Sequence, residues 1–237
     1  MSETNNNGLI ESDVGGKYDF SIRAVISEAW DKTSGAKWPI NLAFIYYFLV
    51  IIGLALIIGV ASAALSMGTG GLDTAMPSLL DIFLQIALTA IMLPMMMGIT
   101  MMGIHRAVDR PINANSVFGY FSKTFNLFLT MILMYIMIII GYILLILPGI
   151  YLTVAYYMAL PLIVEKNMSP WQALETSRKA VSKRWFRMFF FFLAIGIITF
   201  ISMIPLGIGL IWSVPLFMIA YGIIYRNMFG VEEAPAE

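Results

Sequence analysis

The sequence predicts an all-α fold: a polytopic membrane helical bundle of six transmembrane helices, arranged as three hairpins each preceded by a cytoplasmic interfacial amphipathic helix. Three observations predict it. Of the 237 residues, 60% are hydrophobic and 12% charged, with a mean hydropathy of +0.86, whereas soluble domains carry about 25% charged residues. The apolar residues collect in runs long enough to cross a hydrocarbon core of about 30 Å, which takes about 20 helical residues. The fourteen lysines and arginines fall only in alternate connections between those runs.

The elements follow in order. Residues 1–18 form a polar tail without the apolar core of a signal peptide, and cleavage is not expected. Ser21 or Asp19 can cap a first interfacial helix whose stripe is Ile22, Val25, Ile26, Ala29 and Trp30, with Gly35 ending it. The first span covers Pro39 to Leu65 and the second Leu79 to Ile104, joined by the Gly-rich turn SMGTGGLDTAMPS. Asn115 or Ser116 caps a shorter lead-in bearing Val117, Phe118, Phe121 and Phe125, which runs into the third span, Phe125 to Leu147. Pro148-Gly149 then makes a tight break before a short fourth segment, Ile150 to Val164. A re-entrant hairpin competes with a full crossing there; the full crossing keeps the charges segregated. Ser169, Pro170 and Gln172 give the third lead-in a cap, a proline at the first helical position and a capping box. Its stripe is Trp171, Leu174, Val181, Trp185 and Met188, and Glu175 stands four residues before Lys179. The fifth span is Met188 to Ile204, the sixth Leu210 to Tyr225, joined by PLGIG, and residues 231–237 are an acidic tail.

Orientation follows from the bases. They occur before the first span, between the second and third, between the fourth and fifth, and at Arg226, while the opposite connections hold no Lys or Arg. Short cytoplasmic loops retain Lys and Arg, so both termini are expected in the cytoplasm of a bacterial inner membrane. Within one membrane domain, 19–230, three units repeat at about 19–106, 112–166 and 168–228, each a lead-in plus a hairpin. The returning spans share a proline motif, IMLPM at Pro94, MALPL at Pro161 and WSVPL at Pro215, which is expected to kink each helix.

The stretches LPGIYLTVAYYMALPLIVEKNMSPWQALETSRKAVSKRW and IPLGIGLIWSVPLFMIAYGIIYRN resemble a broad group of poorly characterised six-span bacterial membrane proteins. That group includes the YciC-type inner-membrane proteins and the membrane domain fused to some glycerophosphodiester phosphodiesterases. The likeness covers about the last hundred residues by motif and the first half by hydropathy only. It implies the six-span fold and supplies no activity or catalytic residue.

Three constellations bear on chemistry. Met97, Met101 and His105 share one helical face, and thioether with imidazole suits Cu(I), although methionine also fills irregular helix contacts. Arg178, Lys179, Lys183, Arg184 and Arg187, with Trp171 and Trp185, form a basic-aromatic collar suited to lipid headgroups and to fixing topology. The spans carry hydroxyls and one amide but no Lys, Arg or Glu near their midpoints, which disfavours a proton relay or polar pore. With no cysteine, one histidine and no nucleophile motif, catalysis is not expected, nor a cofactor. The expected function is a non-enzymatic integral inner-membrane protein handling lipids or apolar solutes. An accessory or assembly subunit of a larger membrane complex, or a copper-binding membrane protein, are the alternatives. Expected partners are membrane lipids and a second copy or another membrane protein, not nucleic acid.

Overall fold

A computed structural model of the protein describes residues 20–68 and 79–232. The N-terminal tail, the alternative cap Asp19, most of the Gly-rich turn with Asp73, and residues 233–237 of the acidic tail lie outside the described residues. Among the described residues there are nine α-helices and no strand. They are α1 (Ile22–Thr33), α2 (Lys37–Gly68), α3 (Leu79–Ala107), α4 (Thr124–Leu144), α5 (Ile146–Ala155), α6 (Ala159–Glu165), α7 (Pro170–Ser182), α8 (Trp185–Met203) and α9 (Leu210–Phe229). Six helical segments are long and apolar enough to cross a membrane, the fourth being α5 and α6 together, Ile146–Glu165.

Several local expectations change. The middle lead-in is not an amphipathic α-helix. It is a pair of 3-10 turns, Ala114–Phe118 and Phe121–Lys123, capped by the side chain of Asn113, which accepts from the Asn115 N–H. Ala114 and Val117 are buried, while Phe118, Phe121 and Phe125 face outward. The chain reverses at Leu145, not at Pro148-Gly149. Pro148 sits in the first turn of α5, where a missing N–H has no intrahelical partner to lose, and the fourth segment therefore begins at Ile146. Gly149 lets α5 approach α4 closely, since a Cβ there would lie 2.4 Å from the Tyr142 ring. In α7 the buried stripe is Ala173, Leu174, Ser177, Ala180 and Val181, and Trp171 stands 61% exposed.

The core lies between α9, the second half of α3, α6 and the lead-in helices. By contrast α2 is almost bare: 32 residues, about 48 Å at 1.5 Å per residue, expose Ile45, Phe48, Leu49, Ile52, Leu56 and Val60. The most extensive helix pairing is α3 with α9. It depends on two glycines. A Cβ on Gly103 would meet the Met218 carbonyl oxygen at 2.1 Å, and one on Gly222 would meet the Gly103 carbonyl oxygen at 2.3 Å. Small residues allow this backbone approach, and in lipid such close packing replaces the hydrophobic drive that water supplies.

Beyond that contact the ends of the helices are bound by charge. Arg226 forks onto both oxygens of Glu28 at 2.8 and 3.1 Å and donates to the Ala107 carbonyl that ends α3. Arg106 donates to the Lys32 and Ser34 carbonyls, and Lys32 pairs with Asp109. Glu165 accepts from Tyr225 and from the Glu232 N–H, and Lys166 lies between Glu165 and Glu232. Bases that are distant in sequence thus gather in one layer at one end of the bundle.

The glycine contact gives a direct test. Gly222→Val places a branched side chain against the α3 backbone and is expected to cost about 1–3 kcal/mol or more, read as a lower melting temperature in mild detergent. Gly196, whose Cβ would meet nothing within 4 Å, is the control: Gly196→Ala should melt no lower than the parent.

Candidate functional site

The fourth segment is not one straight helix. Between α5 and α6 the residues Tyr156, Tyr157 and Met158 interrupt it, halfway along. A backbone break in hydrocarbon is tolerated only if the protein satisfies the freed polar groups. Here two hydroxyls do so. Ser177 of α7, wholly buried, donates to the Ala155 carbonyl at 2.7 Å and accepts from the Met158 N–H at 3.2 Å. Tyr221 of α9 donates to the Tyr157 carbonyl at 3.0 Å.

The break explains the second bond: Tyr157 lies outside both helices, and Pro161, in the first turn of α6, has no N–H to offer its carbonyl. Pro215 acts within a helix. Lying inside α9, it leaves the Ile211 carbonyl four residues earlier without its intrahelical donor, and that carbonyl accepts from the Asn41 side-chain amide of α2 at 2.9 Å. Pro94 lies buried within a continuous α3.

Beside the break lies a half-open cavity of about 310 Å3. Its floor is formed by Met97 and Thr100 of α3, Pro161 of α6, and Met218 and Tyr221 of α9, all buried. Tyr135, Thr153 and Tyr157 form the rim and are exposed. No charged residue lines it. The contributing stretches are central in their segments: Met134–Ile138 within α4, Thr153–Pro161 within Ile146–Glu165, and Phe217–Tyr221 within α9. The rim continues into the outward face of α4, where Ile132, Ile136 and Ile139 are exposed, so the mouth opens sideways from the bundle.

The hydroxyls near the cavity do not make a polar track. Thr100 donates to Met96 and Thr153 to Gly149, each bonding the carbonyl one turn back in its own helix, as Thr89 and Ser202 also do.

The sequence-predicted residues are placed as follows. Met97 is at the cavity floor and Met101 is packed in the core. His105 is half-buried at the end of α3, in electrostatic reach of Arg110 and Glu165. Among the described residues no three His, Asp or Glu side chains are grouped to hold a metal. In the collar, Arg178 forms a two-pronged pair with Glu175 at 2.8 and 2.9 Å, and Lys179 lies 3.5 Å from the same carboxylate. Arg178 holds Glu175 below the ordinary carboxylate range and is itself held above its usual value. Lys183, Arg184 and Arg187 are exposed at the α7–α8 junction, and Arg187 reaches the Phe20 carbonyl. The Trp185 indole donates to the Tyr151 carbonyl at 3.1 Å, and the Tyr151 hydroxyl meets Ser182. That junction therefore grips α5. Ser177 and Tyr221 were not singled out by sequence; a serine on the small-residue face of an amphipathic helix was the signal available for the first.

The fold and the cavity define an all-α integral membrane protein with a broken span beside an apolar cavity. Neither a protein-family model, nor a curated protein, nor a solved structure matches this chain.

Ser177→Ala leaves a buried carbonyl and N–H without their partner, an expected cost of about 1–3 kcal/mol, whereas Thr89→Ala, at an exposed position, should cost far less; thermal melting of both in detergent checks this. Glu175 adds a pH signature. Its folded-state value is depressed, so its contribution is present at neutral pH and is lost as the pH falls through that value. The melting gap between parent and Glu175→Gln should be present at pH 7, begin to narrow only as the pH falls past about 4.3, the ordinary Glu value, and close only below the depressed folded-state value.

Proposed function

We propose that the chain is a non-enzymatic integral protein of the bacterial inner membrane, with both termini in the cytoplasm, that handles lipids or apolar solutes in envelope homeostasis or transport. The observation that carries this reading is the mid-span cavity, uncharged, lined by methionine and tyrosine, and open sideways at the lipid-facing side of α4. Pockets built from apolar side chains with a few polar groups are the usual form of small-molecule sites, and interrupted spans commonly lie beside substrate sites in transporters. The gathering of Lys32, Arg106, Arg110, Lys166 and Arg226 in one layer supports the orientation. The non-enzymatic assignment is supported by the cavity hydroxyls of Thr100 and Thr153, each engaged with its own helix. Membership of the six-span group that the C-terminal half resembles is part of the same proposal and bears on the fold alone.

A second reading, an accessory subunit of a membrane complex, is favoured by one observation. The outward face of α2 has almost no intramolecular cover.

Purification in mild detergent with mass spectrometry of retained molecules, alongside reconstitution into proteoliposomes, tests the main reading. Retained lipid, or movement of a lipid or apolar solute across the reconstituted bilayer, is the expected result. Protein that retains neither and moves neither, while crosslinking in cells through α2 to another membrane protein, would favour the subunit reading instead.

A further inference from the structure

We infer that the cavity takes a single acyl chain, drawn sideways from the bilayer past Tyr135 and Tyr157, while the headgroup of that lipid stays outside. This rests on the reading of the protein as a handler of lipids or apolar solutes and names which of these it holds.

Size is the first argument. A volume of about 310 Å3 holds roughly ten groups the size of a water molecule, each taking about 30 Å3 in the liquid, and a methylene is of similar bulk. One stretch of hydrocarbon chain fits; two chains with a headgroup exceed the space several-fold.

Chemistry is the second. No charged side chain lines the cavity, so neither a phosphate nor a carboxylate has a counter-ion inside. Three of the lining hydroxyls, those of Thr100, Thr153 and Tyr221, already donate within the protein, to the Met96, Gly149 and Tyr157 carbonyls. Met96, Met97, Met134 and Met218 line the cavity; unbranched thioethers with three rotatable bonds adapt to an irregular, flexible guest.

Location is the third. The mouth lies at the middle of the contributing segments, where a bilayer offers chain and little else, and the surface beside it is Ile132, Ile136 and Ile139. The Ser177 and Tyr221 bonds hold the broken segment in the shape that forms one wall, so the space is already present without a guest.

Photocrosslinking in reconstituted vesicles tests this. Three probes are compared: a fatty acid with a mid-chain diazirine, a phospholipid with the same diazirine on one chain, and a diazirine-bearing adamantane as a compact solute. Adducts are mapped by peptide mass spectrometry. The expected result is that a chain probe labels the floor, at Met97 or Met218, and that the adamantane does not. Labelling by the phospholipid identifies the source as membrane lipid; labelling by the fatty acid alone identifies a free chain. Thr153→Phe, at the mouth, should reduce floor labelling several-fold, whereas Ile139→Phe, on the same lipid-facing side but outside the cavity, should not. Floor labelling by adamantane with chains confined to the outer face of α4 would overturn the acyl-chain assignment and leave the apolar-solute reading standing. No floor labelling by any probe, with no lipid retained on purification, would overturn both.

Discussion

A backbone carbonyl released inside hydrocarbon has no water to turn to, and this constraint organises the molecule around its prolines. Two carbonyls stand four residues before a proline that has no N–H to give them, Tyr157 in the break before Pro161 and Ile211 inside α9 before Pro215, and each is met from another helix: Tyr157 by the Tyr221 hydroxyl, Ile211 by the Asn41 amide. These bonds specify neighbours. They tie the fourth segment to α9 and α9 to α2, so helices that are far apart in the chain must sit side by side for the bilayer to accept either proline. Ser177 adds a third such tie, from α7 into the break.

The glycine contact and the charged layer act on the same arrangement from a different direction. Gly103 and Gly222 bring α3 and α9 within backbone contact, which dispersion favours but which carries no information about axial register beyond the two notches themselves. Register is added at the ends. Arg226 ends its reach on both Glu28 and the last carbonyl of α3, so sliding α9 along α3 by one turn would break charge-assisted bonds in a partly buried layer. The bare α2 is the counterpart: with few ties of this kind along most of its length, it has no reason to be packed.

Much of this was legible in the sequence, for physical reasons that also explain what was not. Spans are set by an apolar length matched to bilayer thickness, a property of composition, and so Leu79, Leu210 and the ends near Leu144 and Met203 fall within a few residues of expectation. Caps and breaks depend on single backbone contacts. Pro148-Gly149 reads as a turn by residue type, yet the turn moved to Leu145 because the glycine was needed to pack α5 against Tyr142. The 3-10 form of residues 114–123 was hidden for a similar reason: Val117 lies against Gly98, and the close approach suits a short, tightly wound piece more than a surface helix. The cavity was the least legible feature, since it is made by methionines and tyrosines from several segments, each individually an ordinary core residue.

The amphipathic helix α7 then takes a different role from a float on the membrane surface. Its buried face is Ala173, Leu174, Ala180 and Val181 with one serine, and it packs against α4, α5 and α6. Its other face keeps Arg178 paired to Glu175 and Lys179 beside them. Ser177 lies on the buried face of the same two turns that carry Arg178 and Lys179. The residue that braces the break beside the cavity and the bases of the collar are thus consecutive in one helix.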